Sequence, residues 1–221
     1  MAIVHHRRAP MLCPPLPPTL NITPAVHYFG TPVALISTVD ETGHANLTPM
    51  SSVWALGDRL VLGLSDSSQG AQNLLRTREA VVNLPGPHQY AAVEAIARTT
   101  GRHPVPEYKR AMGYCHEPDK FALAGFSAVP ATKVQPPRVA ECPLQLEVRL
   151  IDARPATQID GEDRPGFLLF ETQVLLTHAH ADIVHAGSSH IDTARWSPLL
   201  YVYRHYFGAG ERLGRNFRAQ T

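Results

Sequence analysis

A chain of 221 residues is the size of one domain with short appendages, long enough to bury a core without disulfide help. A formal net charge of +1, with no dense block of Lys and Arg, lacks the electrostatic footprint of a nucleic-acid binder. No apolar run nears the roughly 18 residues a membrane helix needs, and the three widely spaced cysteines (Cys13, Cys115, Cys142) point to a reducing, cytoplasmic setting without a disulfide framework.

Residues 1–25 form a Pro-rich N-terminal arm: Pro10, Pro14, Pro15, Pro17, Pro18 and Pro24 exclude a helix or an interior strand. The arm is either a loose tail or a strap around a partner subunit. No signal peptide is expected, because proline-rich sequence follows the basic start in place of an apolar stretch. Residues 33–39 are β-branched and apolar and read as a strand. Asp40-Glu41-Thr42-Gly43 is turn chemistry. Residues 44–54 read as a second strand, Gly57-Asp58 as a turn and residues 59–65 as a third strand. Short turns between successive strands predict an antiparallel meander.

The period then changes. Residues 69–78 read as a helix with N-cap candidates in Ser65-Asp66-Ser67-Ser68. Residues 80–84 return to strand, 90–98 are helical, 107–112 form a short helix and 119–125 are loop-like. Residues 139–151 and 166–180 read as two longer strands, and 193–206 are amphipathic. At least six strands with few helices favour a closed or partly closed barrel.

Two segments carry chemistry. Asn46-Leu47-Thr48-Pro49-Met50-Ser51-Ser52 is crowded with small hydroxyls and an amide, and Pro49 places this strand at an edge or a bulge. It reads as a solvated hairpin arm or as a ligand-facing strand. Ser65-Asp66-Ser67-Ser68-Gln69-Gly70-Ala71-Gln72-Asn73 lies between a strand and a helix. Its hydroxyls serve as plain caps or, with free N–H groups, as a phosphate seat. On neighbouring strands, one segment would hold a planar ring and the other its phosphate.

The ordered set Pro32-Val33-Ala34-Leu35-Ile36-Ser37-Thr38, then Gly43, Asn46, Pro49 and Ser51, then Ser65 and Asn73-Leu74, then Val82-Asn83, resembles the flavin reductase-like FMN-binding split-barrel family. Asp119-Lys120-Phe121, Pro137-Arg138-Val139-Ala140-Glu141-Cys142-Pro143 and Leu146-Glu147 extend the resemblance over roughly residues 28–210. It implies a mainly β fold, a six-stranded split β-barrel of Greek-key-like form with peripheral helices. The barrel would occupy residues 26–210, with a C-terminal tail at 211–221. It further implies a homodimer binding FMN near the subunit interface. Carried over by position, Asn46, Leu47, Thr48, Pro49, Met50, Ser51 and Ser52 would line the isoalloxazine and ribityl chain. Ser65, Ser67, Ser68, Gln69, Gly70 and Asn73 would take the phosphate. NADH or NADPH is the implied electron donor. Free flavin, a small acceptor or a flavin-dependent monooxygenase would receive the electrons. No nucleophile–base pair is needed, since the cofactor performs the hard step. The Gly-Asp-His triplet that the family's reductases often carry is absent. His190-Ile191-Asp192 lies in the expected region, so His190 and Trp196 are the nicotinamide or substrate candidates, with core packing the other reading of Trp196. A non-catalytic FMN-binding or storage module of the same fold is the alternative function.

One further run, His178-Ala179-His180-Ala181-Asp182, resembles part of a metallohydrolase signature. Ile183 stands where a third histidine belongs, and too little chain follows for that fold's second half, so no metal is expected.

Overall fold

The computed structural model describes residues 16–158 and 166–216. Residues 1–15 of the arm, with Cys13, and residues 217–221 of the tail lie outside the described residues. Residues 16–25 and 211–216 carry neither helix nor strand.

Seven strands build the main sheet: β1 (Ala34–Val39), β2 (Ala45–Met50), β3 (Val53–Leu56), β4 (Arg59–Ser65), β5 (Glu79–Leu84), β6 (Leu144–Pro155) and β7 (Phe167–Ala179). Their order is β2-β1-β5-β6-β7-β4-β3, antiparallel throughout. The β1–β2 turn is closed by Asp40, whose Oδ1 accepts from the backbone N–H groups of Thr42 and His44, while Gly43 takes φ +83°. Gly57, at φ +61°, opens the two-residue turn from β3 to β4.

The run 44–54 is two strands, β2 and β3, and they do not pair. They are the opposite edges of the sheet, joined only by Ser51 and Ser52. The meander expected from the short turns therefore breaks here. Three Cα steps separate Met50 from Val53, so the two edges lie within about 11 Å of each other. Seven strands whose edges are held that close must curl into a barrel with a seam, and Gly63 N–H donates to Ser52 O at 2.8 Å, carrying the β3–β4 pairing one residue into the link. Register shifts between β6 and β7 add local twist to the bend. Pro49 sits in regular register opposite Leu35 on the edge strand β2. The edge position, without a bulge, accommodates the missing N–H.

Side-chain alternation splits the core in two. Ile36, Leu62, Leu74, Val82, Val148, Leu150 and Phe170 pack together, with Leu74 supplied by α1 (Gln69–Thr77). Leu35, Leu47, Val93, Ile96, Phe121 and Leu199 form the second cluster, outside the sheet and under α2 (Tyr90–Ala97) and α4 (Lys120–Ala124). Because β1 feeds both clusters, all six of its residues are buried.

Three further segments depart from the expectation. Residues 119–125 are not a loop: Asp119 Oδ1 caps Ala122 N–H and Gly125 closes α4 in the left-handed conformation. A five-residue helix is too short for apolar periodicity to reveal. The strand expected over 139–151 begins only at Leu144. Arg138–Val139 pairs instead with Ala128–Val129. The amphipathic stretch 193–206 contributes a hairpin, Leu200–Val202 with His205–Phe207, that joins Phe29–Pro32 in a small side sheet. α3 (Glu107–Ala111) rides on an excursion of the chain. A short parallel pairing of Thr99–Thr100 with Cys115–His116 ties the neck of that excursion. No helix among the described residues is long and apolar enough to cross a membrane.

Candidate functional site

A cavity of about 550 Å³ opens at the seam. Its walls have a direction. β2 runs from Thr48, whose Oγ1 lies against Gly70 at the start of α1, to Met50 opposite Ala34, beside the side sheet. α2 runs along the opposite wall, from Glu94, bonded to Tyr206 of the side sheet, to the Thr99-Thr100-Gly101 turn against Asn46. Both walls thus connect a polar end near the α1 N-terminus with an aromatic end formed by the side sheet.

The polar end holds Ser65, Ser68 and Gln69 around the start of α1, and Ser51 and Ser52 line the cavity beyond Met50. Ser68 is the N-cap, its hydroxyl accepting from Ala71 N–H at 3.1 Å. The last residue of β4, Ser65, hydrogen-bonds Ser67 and the Tyr108 hydroxyl, and Ser67 is also bonded to Tyr108. Burial disfavours ionisation of that phenol. The two serine hydroxyls and the Lys109 ammonium outweigh burial and hold it below the ordinary tyrosine range. These contacts dock α3 on the site and bring Lys109, only 8% exposed, into the cavity wall. The Lys109 ammonium has no ion pair or hydrogen bond among the described residues, although the residue's carbonyl accepts from Met112 and Tyr114 N–H. Lys120 at the start of α4 is 3% exposed and donates to Leu47 O at 2.9 Å. Burial, and then the neighbouring Lys109 charge, pull its pKa from 10.5 down to about 8. With Arg98, the wall carries three cations against one carboxylate, Glu94.

Of the residues expected to hold a cofactor, Thr48, Pro49, Met50, Ser51, Ser52, Ser65, Ser68 and Gln69 line the cavity. Five others stand behind the lining. Leu47 is core. Asn73 is buried, donating to Thr38 and accepting from Gln69 Nε2 at 2.8 Å, so it positions Gln69. Ser67 faces Tyr108. Asn46 and Gly70 interlock: Asn46 lies between Gly70 and Gly101, where an added Cβ on Gly101 would meet its Oδ1 at 2.4 Å. That oxygen is buried and accepts no hydrogen bond among the described residues. The two segments meet where Thr48 and Asn46 of β2 stand against Gly70 at the start of α1, although β2 and β4 are not adjacent in the sheet. His190 and Trp196 lie outside the cavity lining. His178 bonds Glu147 and His180 bonds Ala140 O, each through Nε2.

The sequence reading missed Lys109, Lys120, Arg98 and the tyrosines 28, 114, 201 and 206. Only Lys120 carried a local signal, standing between the Asp119 cap and Phe121. The others reach the cavity from elements distant in sequence.

Residues 26–210 match the Flavin reductase like domain family. The chain is 38% identical, over 91% of its length and 94% of the other's, to the uncharacterized protein YdfE of Bacillus subtilis (strain 168). Its fold is similar to flavoredoxin of Desulfovibrio vulgaris (Miyazaki F), with TM-score 0.70, 17% identity and coverage of 90% and 99% of the two chains. It is also similar to nitrilotriacetate monooxygenase component B from Bacillus cereus, with TM-score 0.71, 18% identity and coverage of 90% and 100%. The curled sheet, open at a seam between its own edge strands, is the split barrel of these proteins. This chain belongs to the flavin reductase-like family.

Proposed function

We propose that the seam cavity holds FMN and that the chain is an NADH- or NADPH-dependent oxidoreductase of the flavin reductase type. The observation that carries the reading is the charge of the cavity: a surplus of two cations, beside serine hydroxyls and a helix N-terminus, suits a phosphomonoester of about −1.5 to −2. The orphan Asn46 Oδ1 supports a ligand or bound solvent donor nearby, since a buried acceptor left unpaired is costly. Ser65, Ser68, Gln69 and Lys109 would hold the phosphate, and Thr48 to Ser52 the ring and ribityl chain. When bound, flavin supplies the redox chemistry, accepting hydride and passing electrons to free flavin or a small acceptor. The protein binds, orients and shields it.

The test is direct. Purified protein is expected to be yellow and to bleach with NADH or NADPH faster than free FMN does. A colourless protein that neither takes up FMN nor gains stability from it would overturn the reading. Ser51→Ala and Asn73→Ala are expected to weaken FMN retention and His178→Ala to leave it unchanged. Equal effects from all three would mean the site is elsewhere.

A non-catalytic flavin-binding module is the second reading, favoured by the place of His190 and Trp196 outside the cavity. FMN uptake without bleaching selects it. Similarity to nitrilotriacetate monooxygenase component B supports a partner monooxygenase as acceptor. A homodimer is supported by exposed Phe29, Trp54 and Leu56 near the seam and by Leu16, Leu20 and Ile22 on the arm.

A further inference from the structure

Residues 101–114 leave the body of the protein and return to it through a narrow neck, the parallel pairing of Thr99–Thr100 with Cys115–His116. Among the described residues, the backbone hydrogen bonds of residues 103–114 stay within the excursion, as from Arg110 N–H to Pro106 O and from Tyr114 N–H to Lys109 O. Its side chains are hydrogen-bonded to the body at one place among the described residues: the Tyr108 hydroxyl meets Ser65 Oγ at 3.3 Å and the Ser67 hydroxyl. Residues 107–113 are exposed apart from Lys109, which is buried in the cavity wall. The Lys109 ammonium stands 6.0 Å from the centre of the Tyr108 ring, at the limit of a cation–π contact, and its charge opposes that of buried Lys120. Docking the excursion therefore buries an ammonium that has no counter-ion among the described residues, beside a second cation, and this is costly. The phenol–serine hydrogen bonds that offset the cost contribute little net. An anion in the cavity removes the penalty without touching those bonds.

We propose that residues 101–114 are a flap gated by the anion of the ligand, with Tyr108 as the positioning residue that latches Lys109 into the cavity. Without an anion the flap opens and closes, since opening returns the ammonium to water. A phosphate-bearing ligand pairs with Lys109 and holds the flap shut, because it binds the closed state alone. Lys109 then acts with opposite signs: its charge favours the ligand and opposes closure of the empty protein. The flap rests on the FMN reading only for the identity of the ligand that brings the phosphate.

Hydrogen exchange of residues 101–114, read by mass spectrometry on the full chain, tests the flap, and an FMN titration runs beside it. Saturating FMN is expected to slow exchange roughly tenfold. Inorganic phosphate at high concentration slows it in the same direction, and riboflavin, which lacks the anion, leaves it within about twofold. Lys109→Met is expected to slow exchange in the ligand-free protein and to abolish the response to phosphate, while weakening FMN binding. Tyr108→Phe, which keeps the ring, is expected to speed ligand-free exchange and FMN dissociation, each roughly fivefold for loss of the latch. Ser67→Ala removes the latch from its other side and gives the same readout if Tyr108→Phe does not fold. A residue that only supported the fold would not give Lys109→Met and Tyr108→Phe effects of opposite sign on the empty flap. Riboflavin slowing exchange as much as FMN does would overturn the gating, and so would faster ligand-free exchange in Lys109→Met. FMN uptake with no change in the flap would sink this proposal and leave the FMN reading standing. Phosphate closing the flap of a chain that takes up no FMN would do the reverse.

Discussion

Two buried lysines set the electrostatics of the site, and they do so in different ways. Lys109 has no anionic partner, so its cost of burial is offset only when a ligand brings one. Lys109→Ala is expected to raise the FMN dissociation constant about tenfold and the riboflavin constant by less than about twofold, for loss of one charge-assisted contact to phosphate. Parallel titrations of the two flavins measure this. Lys120 titrates near neutrality, with a pKa of about 8. Its folded value lies below the unfolded value of about 10.4, so the buried ammonium destabilises the ligand-free protein below pH 8. That penalty fades as pH rises from 8 towards the unfolded value. Ligand-free protein is therefore expected to gain stability across this window. FMN affinity is expected to fall over the same range, because the anion favours the protonated form. Thermal melts and FMN titrations against pH check both trends, and Lys120→Gln should lack them. Gly70 and Gly101 act through space: they leave room for Asn46 and Thr48 where any Cβ would collide.

Short elements, not long ones, deliver the missing site residues. α3 is five residues long and is docked by one phenol on two serines. α4 is equally short and is fixed by its caps. The hairpin that carries Tyr201 and Tyr206 turns through Tyr203 and Arg204, both at positive φ without glycine. That conformation costs roughly 1–2 kcal/mol per residue and is held by the side sheet. On β6, the fully buried Glu147 organises the neighbouring loop. Its carboxylate accepts from Thr132 and Lys133 N–H and from His178, all within 2.8 Å. Burial pushes its pKa up, but these donors outweigh burial and hold the carboxyl below its ordinary value. The sign follows: its stabilisation is complete above the unfolded carboxyl value of about 4.3 and is lost as pH falls through the lower folded value. Glu147→Gln is expected to cost about 3 kcal/mol near pH 7 and to flatten the acid limb of a denaturation-versus-pH curve.

For the molecule at large, the decisive fact is that the two edges of the sheet are consecutive strands. Two serines span them, the barrel cannot zip shut across that link, and the resulting gap is the cavity. The same opening leaves Trp54 and Leu56 of β3 exposed beside Phe29. If a second copy covers them, light scattering is expected to give twice the 24.2 kDa chain mass. Trp54→Glu should then shift the protein towards the monomer and loosen FMN. A monomeric wild type would refute the dimer. The low share of charged residues, 18%, agrees with a surface partly reserved for such contact.

Local chemistry wrote β1, β4, α1 and α2 plainly into the sequence, to within a residue or two, because β-branched runs, turn residues and caps act on neighbours along the chain. The hydroxyl-rich segments 46–52 and 65–73 were legible for the same reason, as polar residues where a strand or helix face should be apolar. Pairing was not. Whether residues 44–54 are one strand or two depends on which strands lie beside them, and that is settled by burial of both faces of β1 and by closure at the seam. Nor could spacing bring Lys109, Arg98 and the four tyrosines to one cavity, since they come from separate elements that meet only after the sheet has curled. Sequence by itself determined most of the long elements and the two hydroxyl-rich segments. The curl of the sheet supplied the cations, the aromatic end and the opening, because those depend on contacts between residues far apart in the chain.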